Sequence, residues 1–169
     1  MDQPTQPSNE LLQAIEKLPI LVPDADADTR YGAGEREGEA WRQGVADLAD
    51  QAEDSKSEIE SSFEVPLRQT EDDFEMLDML IANGWAGTLP PEEELAAISL
   101  GWGSYAGDVV LQSLGGSWVV RQDAEHASIR FPRVGLQFFP VHAILRRFAL
   151  GDQASLDVTY QHLVDTLVD

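Results

Sequence analysis

Gly115-Gly116-Ser117-Trp118-Val119-Val120-Arg121 is the stretch on which the fold turns. Before it, apolar residues recur every third or fourth position. From Ser117 onward they alternate, and the alternation resumes in Ser128-Ile129-Arg130-Phe131 and in Gly135-Leu136-Gln137-Phe138-Phe139. A period of two sends successive side chains to opposite faces of a strand, whereas spacing by three and four lines one face of a helix. Three short strands, with Gln122 to Ala127 as the first turn, predict a three-stranded antiparallel meander. Pro140 then opens a helix through Ile144, Leu145 and Phe148 that Gly151 closes. Ser155 caps a last helix carrying Leu156, Tyr160, Leu163, Val164 and Leu167 on one face. These two C-terminal helices are expected to pack on one face of the sheet.

Upstream of the meander the chain reads as helices. Pro90-Pro91-Glu92-Glu93-Glu94 opens a helix whose apolar face is Leu95, Ile98, Trp102, Tyr105, Val109 and Leu114. Gly103 and Gly107, four apart, form a smooth strip on it where another backbone can approach closely. Thr70 is the expected N-cap of the preceding helix, with Glu71-Asp72-Asp73 in its first turn. Phe74, Leu77, Leu80 and Ile81 make its buried face and Gly84 its stop. From Glu35 to Glu64, Trp41, Val45, Leu48, Ala52, Ile59 and Phe63 mark one apolar stripe on a long helix, interrupted at Lys56 and crowded by acids elsewhere. Ser8 caps a short helix with Leu11, Leu12, Ile15 and Leu18, after a Pro/Gln-rich start expected to fray. Ile20-Leu21-Val22-Pro23 is extended, and Asp24 to Gly34 reads as an acidic loop. The expectation is α+β, with residues 1–34 as a short helix and acidic linker and residues 35–169 as a single domain. Within that domain the long acidic helix spans 35–64 and the remaining core 70–168.

Charge removes several functions. The 169 residues hold 31 Asp and Glu against 11 Lys and Arg, a formal net charge of −20, and residues 1–95 carry 24 of the acids with 6 of the bases. Nucleic-acid binding rests on cations that neutralise phosphates, and anionic membrane surfaces recruit the same residues, so neither partner is expected. A basic protein is what this field steers inward. The chain contains no cysteine, which removes disulfides, thiolate catalysis and Cys-based zinc sites together. No apolar run is long enough to span a bilayer, and Met1 to Asn9 has no secretory pattern, so a cytoplasmic protein is expected.

The motifs are sparse. Asp24, Asp26, Asp28 and Glu35 stand where a calcium loop places its first, third, fifth and twelfth residues, and Arg30 would supply the carbonyl. Thr29 occupies the position that wants glycine, and Pro19 and Pro23 prevent a regular incoming helix. A solvated acidic linker competes with this calcium reading. His126, His142 and His162 lie in separate elements with no metal-binding spacing. His142, Arg146 and Arg147 share a helix, where pairing with the acidic half is favoured over anion binding. Ser104 lacks the flanking glycines of a nucleophile elbow, and Gly32, Gly34 and Gly38 lack the spacing and lysine of a phosphate loop, so no cofactor is expected. Tyr105, Asp108, His142 and Arg146 are the groups from which the fold could assemble an enzymatic site.

Leu77-Asp78-x-Leu80, Leu100-Gly101-x-Gly103-x-Tyr105-x-Gly107-Asp108, Gly116-x-Trp118-Val119, Phe139-Pro140 with Ile144, Arg147 and Gly151, and finally Leu156 and Tyr160 form an ordered series. In this series the segment from Phe74 to Leu167 resembles a family of small bacterial α+β domains of unknown function. The resemblance implies a compact α+β domain and brings no catalytic residue with it. The combined expectation is a non-catalytic interaction domain, in the manner of an immunity or inhibitor protein. Glu53, Asp54, Glu58 and Glu60 on the long helix would face the basic partner; calcium regulation through the Asp24 loop is the alternative.

Overall fold

The computed structural model describes residues 6–85 and 88–168. Its elements run α1 (Asn9–Glu16), β1 (Leu21–Pro23), α2 (Asp24–Tyr31), α3 (Gly38–Phe63), α4 (Asp72–Trp85) and α5 (Glu92–Leu114). They continue with β2 (Ser117–Val119), β3 (Ser128–Phe131), β4 (Leu136–Phe138), α6 (Pro140–Leu150) and α7 (Leu156–Val168), with short 3-10 turns at Ala124–His126 and Gly151–Ala154. Among the described residues no helix is long and apolar enough to cross a membrane.

The architecture is α+β with one antiparallel sheet of four strands, in the order β1-β4-β3-β2. The expected meander is β2-β3-β4, and the correction is the fourth strand. Leu21 to Pro23, anticipated only as an extended segment, pairs with β4 in the register Leu21↔Phe138, Val22↔Gln137, Pro23↔Leu136. Pro23 ends this strand and Pro19 stands two residues before it, and an edge strand tolerates proline because its outer N–H groups bond to no neighbour. The other registers, Trp118↔Ile129 and Ile129↔Phe138, place Leu21, Phe138, Ile129 and Trp118 in one row on one face. The opposite face carries Val119, Ser128, Arg130 and Gln137.

Glycine lets α5 sit at the centre. A Cβ on Gly107 would lie 2.3 Å from the Trp118 indole, and one on Gly103 would lie 2.6 Å from the Cα of Val141 on α6. On the other side, a Cβ on Gly101 would meet Ser55 of α3 at 2.1 Å. The glycine strip is therefore a packing surface, and α5 rests closely on both α3 and α6. At the exit, Gly116 has φ +87° and the space for its Cβ is filled by Ile129 and the Arg130 carbonyl, so glycine is required twice over. On α3 the buried stripe is Leu48, Ala52, Ser55 and Ile59. Ser55 takes the place where Lys56 interrupted the expected stripe, because only a small side chain fits against Gly101. The helix ends at Phe63, with Glu64 in the left-handed region at φ 55°.

Smaller differences have local causes. Ser8 Oγ accepts from Leu11 N–H as the expected cap of α1. The stretch 24–31, expected as acidic loop, is helix α2, joined directly to β1. The segment before residue 35 belongs to the main body, with Ile15 in the core and α1 packed on α6. The two C-terminal helices do not share a sheet face: α7 packs on α4 and α6, with Tyr160 stacked on Phe74 at 4.7 Å. Helix α4 continues through Gly84 to Trp85. Residues 1–5 of the expected frayed start lie outside the described residues.

Trp102, Trp118, Phe138 and Ile144 share one core. Trp118→Ala is expected to cost about 3–5 kcal/mol in chemical denaturation, since it empties the wall facing Gly107. Gly103→Ala is expected to cost about 1–3 kcal/mol, because the backbone of α6 cannot give way as a side-chain tip can. A loss below about 1 kcal/mol for Trp118→Ala would overturn the core assignment.

Candidate functional site

Two regions concentrate polar chemistry. The first is the outer face of α3, with Glu39, Asp47, Asp50, Glu53, Asp54 and Glu58 exposed. Placed at about 3.6 residues per turn, Glu39 and Asp50 fall opposite the buried Leu48, Ala52, Ser55 and Ile59, Glu53 and Asp54 lie to either side of that line, and Asp47 and Glu58 stand farther round toward one flank. The two bases of the helix lie toward its flanks, where Arg42 pairs with Glu39 at 3.2 Å and Lys56 with Glu60 at 3.3 Å. Glu53, Asp54 and Glu58 are exposed on α3. Glu60 does not belong with them: its carboxylate accepts from the backbone N–H of Leu67 at 3.1 Å, and that bond, with Lys56, holds its pKa below the ordinary value. It fastens the connection after α3 rather than facing outward.

The second region lies on the polar face of the sheet, where α2 covers it. Arg121 is buried and uses all five of its N–H donors. Nε donates to the Gly32 carbonyl (2.9 Å), one terminal nitrogen to the His126 carbonyl (3.0 Å) and Ser128 Oγ (2.8 Å), the other to Gln137 Oε1 (3.0 Å) and Asp28 (3.3 Å). Gln137 is satisfied in the same way: its oxygen also accepts from Ser128, and its nitrogen donates to Asp24 and Asp28, each at 3.1 Å. Asp24 pairs with Arg130 at 3.1 Å, and Asp28 with Arg36 at 2.8 Å. Burial works against the charge on Arg121 and lowers its pKa, and Asp28 opposes that shift.

This arrangement decides the expected calcium ligands. Asp24 and Asp28 are one turn apart on a helix and spent on arginines, while Asp26 and Glu35 are exposed. Glu35 bridges Val120 through its backbone. The four do not converge, and among the described residues no group of three His, Asp or Glu side chains could hold a metal ion. A calcium loop needs its ligands on irregular backbone wrapped around the ion, and α2 is regular helix.

The histidines form a chain that the sequence did not reveal. His142 Nδ1 lies 2.7 Å from the Pro19 carbonyl and must donate to it; Nε2 is therefore the acceptor for His126 Nδ1–H at 2.9 Å. Phe139 stacks on His142 at 4.7 Å and Tyr31 on His126 at 4.1 Å. Burial pushes the His142 pKa down from 6.5 to about 4, only partly offset by its bond to Pro19. The enzymatic set does not assemble. Tyr105 donates to the buried carboxylate of Asp73 at 2.5 Å and accepts from Gln69 N–H, whereas Asp108 bonds Gln112 and Arg146 donates to the Glu16 carbonyl.

Other functional-looking groups are structural. Arg147 pairs with Asp78 at 2.8 Å, and Asp78 also accepts from Ser155 Oγ and the N–H groups of Leu156 and Asp157. One α4 carboxylate thereby caps α7 in trans and anchors α6. The signal for the sheet network lay in strand parity, since Ser128, Arg130 and Gln137 share one face. No signal in the sequence tied them to Asp24 and Asp28. Compared with protein-family models, curated proteins and solved structures, the chain matches none.

Arg121→Met should destabilise by about 3 kcal/mol in denaturant, since it strands two carbonyls, Gln137 and part of Asp28 in a buried setting. The unfolded chain protonates His142 near pH 6.5 while the folded chain resists until about pH 4. Its stabilisation is present above the upper value and lost as pH falls through that window. The loss amounts to about 3 kcal/mol. His142→Gln should flatten that part of the stability–pH curve, and an unchanged slope would refute the assignment.

Proposed function

We propose that the protein is a non-catalytic interaction domain of the cytoplasm that presents the outer face of α3 to a basic protein, in the manner of an immunity or inhibitor protein. The observation that carries this reading is the geometry of α3. Glu39 and Asp50 stand opposite its buried stripe, with Asp47, Glu53, Asp54 and Glu58 exposed around them, and the two cations of the helix, Arg42 and Lys56, are already paired with Glu39 and Glu60. Among the described residues Asp47, Asp50, Glu53, Asp54 and Glu58 form no ion pair, so their field extends into solvent and accelerates encounter with a cation-rich surface. The rest of the polar chemistry supports a binding role as well. Arg121, Gln137, Asp78 and His142 are consumed by bonds within the fold, which leaves them no free valence for substrate.

Glu53→Gln, Asp54→Asn and Glu58→Gln together should leave stability nearly unchanged, since exposed charges contribute little. The same triple variant should slow association with the basic protein that co-purifies from the native host. The on-rate of the parent should fall steeply as salt shortens screening to about 8 Å at physiological ionic strength. A photo-cross-linker at the exposed Gln51 should capture the same partner. A salt-independent on-rate, with unaltered binding by the triple variant, would reduce these acids to a solvated surface. Glu60 is kept in the variant because of its bond to Leu67.

A further inference from the structure

A cleft of about 330 Å³ lies between α1, α5, α6 and the turn at Ala124–His126, on residues that the α3 reading does not use. Its walls are apolar, with Leu11 and Ile15 from α1, Leu95 from α5, and Val141 and Leu145 from α6. Glu92, Asp123 and Glu125 also line it, and among the described residues no Lys, Arg or His does. The α5 positions that line it are 92, 95, 96, 99 and 100, one helical face that includes Ser99.

Ser99 is the anomaly. It is fully buried, and among the described residues its hydroxyl has no hydrogen-bond partner, a state shared only by the Tyr31 hydroxyl outside the cleft. Ser104 and Ser113 on the same helix both donate to the carbonyl four residues back. A buried hydroxyl without a partner costs free energy, and it is tolerated where something else supplies the bond. Glu125 repeats the pattern in charged form. It is half-buried, forms no ion pair among the described residues, and burial raises its pKa above the ordinary carboxylate value. Asp123 accepts from the Glu125 N–H and lies 3.7 Å from His126, so Glu125 is the less engaged of the two.

We propose that this cleft binds a small organic cation with an apolar body, of the alkylammonium class. Its hydrocarbon part would lie on Leu11, Leu95 and Leu145, its charged head against Glu125, and an N–H would be within reach of Ser99. The apolar walls reject a small hydrated metal ion, the carboxylates reject an anion, and a neutral hydrocarbon would leave Glu125 and Ser99 unsatisfied. The cleft is at the small end of ligand sites, which run from about 300 to 1,000 Å³. That size favours a short chain or a single ring.

The test compares n-hexylammonium, n-hexanol and n-hexanoate, which share one hydrocarbon length and differ in the head group, by titration followed in amide NMR spectra. Hexylammonium should bind about tenfold or more tightly than hexanol, with hexanoate weakest. The shifts should centre on residues 95–100 and 123–125. Glu125→Gln should bring hexylammonium down to the affinity of hexanol while leaving hexanol unchanged. Ala96→Trp, which places an indole at an exposed lining position, should abolish binding of all three. Equal affinities for the three probes, or no binding of hexylammonium at millimolar concentration, would overturn the proposal. So would a loss of hexylammonium binding in the Glu53/Asp54/Glu58 triple variant with none in Glu125→Gln, because the cation would then be reading the α3 surface. Failure here leaves the α3 reading standing, and failure of that reading leaves the cleft.

Discussion

A guanidinium buried under α2 sets the terms for half of this molecule. Arg121 has five donors and no acceptor, and inside a protein each unmet donor is expensive. The structure meets all five with groups from α2, the loop after it, the turn before β3, β3 and β4. Those segments are far apart in sequence, so satisfying one side chain fixes the relation among them. The sheet therefore has two characters. Its apolar face joins the core through Trp118, Ile129 and Phe138, and its polar face is closed by a charged helix rather than left to water. That closure also explains why α2 is a helix. Asp24 and Asp28 must project from one side to reach Arg130, Gln137 and Arg121, and one helical turn supplies that spacing.

The opposite half is governed by close approach. Gly101, Gly103 and Gly107 remove side chains from α5 on two sides, which lets α3 and α6 come against its backbone. A helix buried on so many sides leaves its neighbours to carry the solvent-facing residues, and of the two helices packed on it α3 carries acids where α6 carries none. The exposed acids of α3 are thus a consequence of packing: because Leu48, Ala52, Ser55 and Ile59 are buried on the side toward α5, the carboxylates are left to the remaining sides of the helix. The trans cap from Asp78 acts likewise at the other end, bringing α4, α6 and α7 together around one carboxylate.

These constraints explain why groups that attract attention as chemistry turn out to be structure. His142 is held neutral by burial, which outweighs its bond to the Pro19 carbonyl. Tyr105 and Asp73 satisfy each other and the turn at Gln69. Among the described residues two buried side-chain groups remain without a partner, the Tyr31 hydroxyl beside the histidines and the Ser99 hydroxyl at the cleft.

The sequence by itself determined the elements. Spacing by three and four identified the helices, alternation identified the strands after Gly116, and Ser8, Pro140 and Ser155 marked helix starts. These signals are local, since each depends only on which side chains share a face or a terminal N–H. The acidic face of α3 was legible for the same reason, apart from Glu60, whose bond to Leu67 comes from the chain turning back. Only the tertiary structure decided that Leu21 to Pro23 is a strand, because three residues have no period and their pairing energy comes from β4. It alone made Asp24 to Tyr31 a helix, since the acids that read as a solvated loop are neutralised by arginines about a hundred residues away. Long-range pairing of charges and strand edges leaves no periodic trace in a sequence, and that is where reading and structure part.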